Sequence, residues 1–364
     1  MRVVWFTHRD PTGMNAGGAE RTIREVANRL ARDGYSVRVI SPASRRFQAD
    51  AKDINDTAAF LRIPVDPLTL HAMHPLLVRA MNNADVFIDD LAHVVPWATP
   101  FFTKKPVFPF FRHRHSTTLP LQVGPIQARF LASAERSYRH IYPGSTFVTE
   151  SRASVEGLLE LGIALPRIVR LPPGVDLNLF RPSTSVREQS VVYFAGLKPH
   201  KRPEQVLDLL RKLVERYPQI TLTVIGDGPC RHSMEVKAKS LNLRDRVSFT
   251  GRLADPNLAE VVRHCRVNVI TSFHERWCLT ALEAAASGVP TVCYAVPGLM
   301  DSVNHGRSGL LVPAGDTAAL AAAAESILSA PAPGWAASCR LWAEEFDWQR
   351  AILSWEALLQ TTSE

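Results

Sequence analysis

Short, unbroken apolar runs alternate along the chain with longer stretches in which apolar residues return every three or four positions. The run RVVWFT at the N-terminus reads as a strand and leads through a glycine-containing loop into AERTIREVANRLARDG. There Ile23, Val26, Ala27 and Leu30 keep the helical spacing, and Gly34 is a stop signal. A second strand, SVRVIS, follows at once. The alternation is cleaner in the second half. SVVYFAG, ITLTVIG, RVSFTG, VNVITS and PTVCYAV read as strands, and PEQVLDLLRKLVERYP, CRHSMEVKAKSLNL, NLAEVVRHC and LTALEAAASG as helices between them. Strands that are apolar throughout, rather than at every second residue, suit a sheet covered on both faces. Strand and helix in alternation with short connections predict a parallel sheet with helices packed against it.

The segment LPPGVDLNLFRPSTSVREQ, rich in Pro, Ser and turn formers, interrupts this rhythm and places a domain boundary near residue 185. The expected division is an N-terminal Rossmann-like domain over 1–185, a second over 186–340, and a terminal helix over 341–364 that packs back on the first. That tail, EEFDWQRAILSWEALLQ, sets Trp348, Ile352, Trp355 and Leu359 along one side. The predicted fold class is α/β, two doubly wound domains facing each other across a cleft. Open α/β sheets bind ligands outside the C-terminal ends of their strands.

Composition narrows this reading without redirecting it. An apolar fraction of 46% and a charged fraction of 21% fit a globular chain of 364 residues, long enough for two domains. No apolar run reaches the ~20 residues a membrane span needs. The N-terminus carries no signal-peptide h-region, so the expected location is cytoplasmic, or peripheral to a membrane. The five cysteines show neither CxxC pairs nor metal-ligand spacing, and are expected to be reduced. The net charge of +7 is uneven: residues 1–185 hold 23 Lys+Arg against 16 Asp+Glu, whereas residues 186–364 hold 19 of each. A basic first half attracts an anionic substrate, an anionic lipid surface or nucleic acid. Nucleic acid is not expected, because the basic residues are scattered along helices without evident aromatic stacking platforms.

The candidate chemistry sits in SFHERWCLTALE, residues 272–283. Glu275 falls in the loop after the strand VNVITS, and a helix is predicted to begin near Leu279 or Thr280. Backbone N–H groups at Cys278, Leu279 and Thr280, with the positive end of the helix dipole, make a phosphate or diphosphate site. Glu283, one turn inside, suits the vicinal hydroxyls of a ribose. Taken alone, the stretch equally reads as a solvated loop glutamate and an N-terminal helix charge.

Two glutamates eight positions apart, running into EAAASGVPTV, resemble the donor-site motif of family 4 retaining glycosyltransferases. VVYFAGLKPHKRPEQVLDLL, LTVIGDGPCRHSMEVKAKSLNLRDRVSFTGRL, GLMDSVNHGRSGLLVPAGD, GGAERTIREVANRLARDGYSVRVIS and LPPGVDLNLF are similar to further segments of that family, in order, over roughly 1–40 and 140–330. The resemblance implies the GT-B arrangement. It implies that Glu275 holds donor-sugar hydroxyls, Glu283 the nucleotide ribose, and Lys201 the leaving diphosphate, with Lys198 assisting. Gly17 and Gly18 become a loop whose backbone amides approach the diphosphate. His113, the first histidine after the strand-like PVFPFF, becomes the active-site histidine, and a slip to the next histidine in the reading gives that role to His115. This chain departs from the family at two places: Ala195-Gly196 stand where Gly-Arg opens the basic loop, and Arg276 and Cys278 flank Trp277 where glycines are usual. Arg276 can supply the missing charge.

The function so implied is transfer of a sugar, with retention, from a nucleotide diphosphate sugar to a hydroxyl acceptor, lipid-linked or a glycan precursor. No Asp-x-Asp pair suggests a metal, so metal independence is expected and no cofactor beyond the nucleotide-sugar co-substrate. The alternatives are a non-catalytic nucleotide-sugar-binding protein on the same fold, or a phosphorylase or epimerase.

Overall fold

The computed structural model describes residues 1–13, 16–43, 56–115, 124–185 and 189–362. The chain forms two compact units, Met1–Pro172 with Gln349–Glu364, and Pro173–Trp348. The division therefore falls at Pro172, not near residue 185. Packing gives the reason: Val175 and Phe180 are buried with Trp277, Leu282 and Cys339 of the second unit. Arg340 Nη1 also donates to the carbonyls of Leu177 (3.0 Å) and Phe180 (2.9 Å). Residues 341–348, grouped above with the terminal helix, likewise stay with the second unit.

The first unit carries a parallel sheet of β1 (Arg2–Phe6), β2 (Ser36–Pro42), β3 (Ala59–Ile63), β4 (Val86–Leu91), β5 (Val107–Phe111), β6 (Phe147–Thr149) and β7 (Ile168–Arg170). Their order is β3-β2-β1-β4-β5-β6-β7. Val4 lies opposite Arg38 on one side and Phe87 on the other. Helix Gly18–Arg32 covers this sheet through the predicted stripe, with Ile23, Val26, Ala27 and Leu30 all buried. It stops where Gly34 takes a φ of +92°, a left-handed turn that suits glycine. The terminal helix runs from Trp348 to Gln360. It starts at Trp348, the first residue of its apolar stripe; ahead of it Glu344–Phe346 form a 3₁₀ turn and Asp347 bridges to Val175. Its Trp355 packs 5.4 Å from Trp5 and edge-on to Phe110 at 5.5 Å.

The second unit repeats the plan with β8 (Ser190–Phe194), β9 (Thr221–Ile225), β10 (Val247–Gly251), β11 (Val267–Ile270), β12 (Thr291–Tyr294) and β13 (Gly309–Val312), parallel in the order β10-β9-β8-β11-β12-β13. Winding reverses between β1 and β4 in one sheet and between β8 and β11 in the other. Loops leaving two such strands diverge over opposite faces and leave a crevice at the C-terminal edge.

Candidate active site

In the second unit the residues singled out from the sequence lie on the loops after β8 and β11 and on the helix that follows the second loop, at the point where winding reverses. The loop after β8 is pressed into shape by the turn after β9. Gly226 and Gly228 have φ of +130° and +156°, and a Cβ on either would stand 2.0 Å from the Ala195 carbonyl oxygen or 2.5 Å from that of Leu197. No larger residue fits there. The two site loops are then tied together. Thr271 Oγ1 reaches the carbonyls of Lys201 and Arg202, each at 2.9 Å, and the Phe273 amide donates to the His200 carbonyl at 3.1 Å. Arg202 sits at a φ of +44° with its guanidinium 4.9 Å over the Phe273 ring.

This stitching brings Lys201 Nζ to 2.6 Å from Glu275 Oε1. The same oxygen accepts from Ser272 Oγ at 2.6 Å. Both charged side chains are mostly enclosed, with 20% and 11% of their surface exposed. Burial works against the Lys201 charge, but the Glu275 carboxylate outweighs it and the pKa rises, so the ammonium persists at neutral pH. Gly298 backs the loop closely: a Cβ there would stand 2.4 Å from the Glu275 carbonyl oxygen.

The helix that follows spans Leu279–Ala286, with Cys278 as its N-cap. Cys278 has φ −109° and ψ 93°, an ordinary extended conformation, so the absence of glycine there costs no strain. Its thiol is buried, and burial, followed by the Glu275 charge, pushes its pKa up to about 11. It is a neutral thiol at physiological pH, 3.3 Å from Thr280 Oγ1. Leu279 and Thr280 are half-buried in the first turn, and Glu283 is buried one turn further on. Arg276 is half-buried, Lys198 is exposed, and Trp277 is buried against Phe346 at 5.3 Å. Sequence reading missed Ser272, Thr271 and Gly298. The first two lie within or beside the quoted motif, yet nothing in their order shows whom they bond.

In the first unit, Gly17 and Gly18 open helix Gly18–Arg32 as placed from the sequence. The Gly17 amide, however, already donates to Glu20 Oε2 at 2.8 Å. One of the two amides read as a diphosphate donor is therefore engaged in capping the helix. Burial opposes the Glu20 charge, but Arg9, 3.5 Å away, and the Gly17 amide hold its pKa below the ordinary value. His113 follows β5, its ring centroid 4.0 Å from that of His115, whose amide donates to Glu135. Arg112, the residue before His113, is wholly buried. Its Nε donates to Asp90 Oδ1 at 2.7 Å and its Nη1 to Glu150 Oε1 at 3.0 Å. Asp90 also accepts from Thr7 Oγ1 at 2.8 Å, which joins the ends of β1, β4 and β5. Beside it His8 stacks on Trp97 at 4.0 Å, and His71, His74 and His93 surround them. Among the described residues, no group of three or more His, Cys, Asp or Glu is arranged to hold a metal ion, and no helix is long and apolar enough to cross a membrane.

Comparison with known proteins agrees with this fold. Residues 16–179 match the family model described as Glycosyltransferase Family 4, and residues 178–340 the one described as Glycosyl transferases group 1. The chain belongs to the family 4 glycosyltransferases, and its fold class is GT-B. A D-inositol 3-phosphate glycosyltransferase of Rhodococcus jostii (strain RHA1) is 32% identical over 202 residues, covering 50% of this chain and 45% of that protein. The chain spans about half the length of the curated relatives it matches first, at 45%, 42% and 45%. A sucrose-phosphate synthase from Thermosynechococcus elongatus shares the fold with a TM-score of 0.82 at 21% identity, over 99% of this chain and 98% of that one. Anabaena Alr3699/HepE, solved in complex with UDP-glucose, does so with a TM-score of 0.80 at 19% identity, over 99% and 100%.

Proposed function

We propose that the chain is a retaining glycosyltransferase that moves a sugar from a nucleotide diphosphate sugar to a hydroxyl acceptor without a metal ion. One observation carries the reading: at the winding reversal of the second unit, a lysine, a glutamate and a helix N-terminus stand together. That set matches the charge pattern of a nucleotide sugar, in which a diphosphate separates two polyols. Lys201 and the amides at Cys278–Thr280 take the diphosphate and stabilise the charge that grows on it as the glycosidic bond breaks. Glu275 accepts from sugar hydroxyls and Glu283 from the ribose. Lys198 and Arg276 add positive charge at the rim.

Cys278, a buried neutral thiol, is unsuited to be a covalent nucleophile. The departing phosphate oxygen then serves as the acceptor's base, so the new bond forms on the face the leaving group vacates. The UDP-glucose bound to Alr3699/HepE supports the donor class.

The test is a thermal-shift screen of UDP-, GDP-, ADP- and TDP-sugars, without added metal, on the wild type and on Glu283→Ala. Stabilisation by one nucleotide series, lost in the variant, is the expected result. No shift with any of them would sink the reading.

A further inference from the structure

The Lys201 ammonium is one of the groups proposed to hold the diphosphate, yet Glu275 Oε1 already occupies it at 2.6 Å. A mostly enclosed ammonium needs a counterion, because an uncompensated charge in that setting is costly. Glu275 supplies it. The diphosphate and the Glu275 carboxylate are both anions, so the two compete for one cation and repel each other when both are near it. What distinguishes Glu275 from a simple plug is Ser272. Its hydroxyl donates to the same Oε1 at 2.6 Å and comes from the same loop, three residues earlier, with its side chain buried.

We infer that Glu275 is a stand-in counterion that yields Lys201 to the donor's diphosphate, and that Ser272 is the positioning residue that holds the released carboxylate in place for the sugar. This rests on the donor-site reading above. Counterion exchange makes the empty site stable without a bound anion and weakens the hold on the product nucleotide. Once the sugar is gone, the Glu275 carboxylate reclaims Lys201 and helps expel the nucleoside diphosphate. Ser272 prevents Glu275 from swinging into solvent while Lys201 is engaged elsewhere. No bond is made or broken in the exchange.

Two variants separate the parts. In Glu275→Gln the amide keeps the shape and can still accept from Ser272, but the charge is gone. Ser272→Ala keeps the charge and loses the hydroxyl. Binding of UDP, GDP, ADP and TDP is measured by calorimetry on the wild type and both variants, beside donor turnover. The wild type is expected to bind one of the four. Glu275→Gln is expected to bind that nucleotide ~5-fold tighter or more while its turnover falls ~100-fold or more, since like-charge repulsion at the diphosphate is removed and the sugar contact is damaged. Ser272→Ala is expected to bind the nucleotide within about twofold of wild type while kcat falls ~10-fold, because its hydroxyl acts on the sugar end only. A merely structural Ser272 would instead lower nucleotide affinity and melting temperature together. If the wild type binds a nucleotide but Glu275→Gln binds it no tighter, the exchange is wrong and the donor site stands. If the wild type binds none of the four, the donor-site reading fails and takes the exchange with it.

Discussion

The two sheets carry cations among carboxylates at their C-terminal edges, and they treat them in opposite ways. In the first unit Arg112 is fully enclosed between Asp90 and Glu150, and a neutral histidine and tryptophan cluster fills the space beside it. Burial by itself would drive Arg112 toward losing its proton, and the two carboxylates more than offset that. In the second unit Lys201 and Glu275 form a single pair at a partly open edge, joined by one serine hydroxyl. The same parallel topology thus supports a sealed ionic network in one case and an exchangeable pair in the other. A network closed on every side fixes loops. A pair with some exposure is able to trade partners.

Breaking the sealed network should give the largest effect on folding. Arg112→Met strands Asp90 and Glu150 without a cation and is expected to cost about 3–5 kcal/mol, read by urea unfolding. Lys201→Met, on the more open edge, should cost markedly less. Equal costs would erase the contrast. For turnover the order reverses: Lys201→Ala is expected to lower kcat/KM by ~10²–10³-fold, as removal of a preorganised donor does. A loss below about tenfold in single-turnover assays would place the charge stabilisation elsewhere.

Acid sharpens the comparison further. Burial, then the neighbouring imidazoles, pushes His8 down to about 2 and His74 to about 3 from an ordinary 6.5. Both stay neutral in the folded chain but gain a proton on unfolding below that ordinary value, so stability falls as pH drops from 6.5. Asp89 acts the other way. Burial raises it to about 6 from 3.8, so between those values the folded chain holds a proton that the unfolded chain lacks. Two protons against one leave these three groups a net loss of ~1.4 kcal/mol per pH unit between pH 6 and 4, and His71, whose pKa burial also lowers, steepens it. Denaturant unfolding at pH 7, 6, 5 and 4 measures the slope, and a flat profile would show that the cluster is open to protons when folded. The smallest effect should come from Cys278→Ala: turnover within about threefold of wild type, because the thiol is neutral and only its backbone is used. Abolished turnover in that variant would reinstate a covalent role.

The strand and helix alternation was legible because apolar periodicity is a local property, written within ten or fifteen residues. Helix Gly18–Arg32 shows its stripe and its glycine stop in one continuous segment. The start of the helix after Cys278 is equally local, and with it the loop position of Glu275. The boundary near residue 185 misled because composition marked a flexible-looking stretch, whereas Val175 and Phe180 are anchored by residues more than ninety positions away. The role of Arg112 was hidden for the same reason. In the sequence it is one basic residue beside His113, and only the parallel order of β4, β5 and β6 sets Asp90 and Glu150 around it.

By itself the sequence determined two parallel α/β units and the family they belong to, and it singled out the candidate residues of the proposed donor site. Each of those follows from patterns that neighbouring residues share. The tertiary structure decided which charges are sealed and which can exchange. It showed that the Gly17 amide is taken by Glu20, and that Lys201, Ser272 and Glu275 meet at one oxygen. Such contacts join residues tens of positions apart through strand order and the crossing of loops, and their energies depend on distance and burial, which a linear order of residues does not contain.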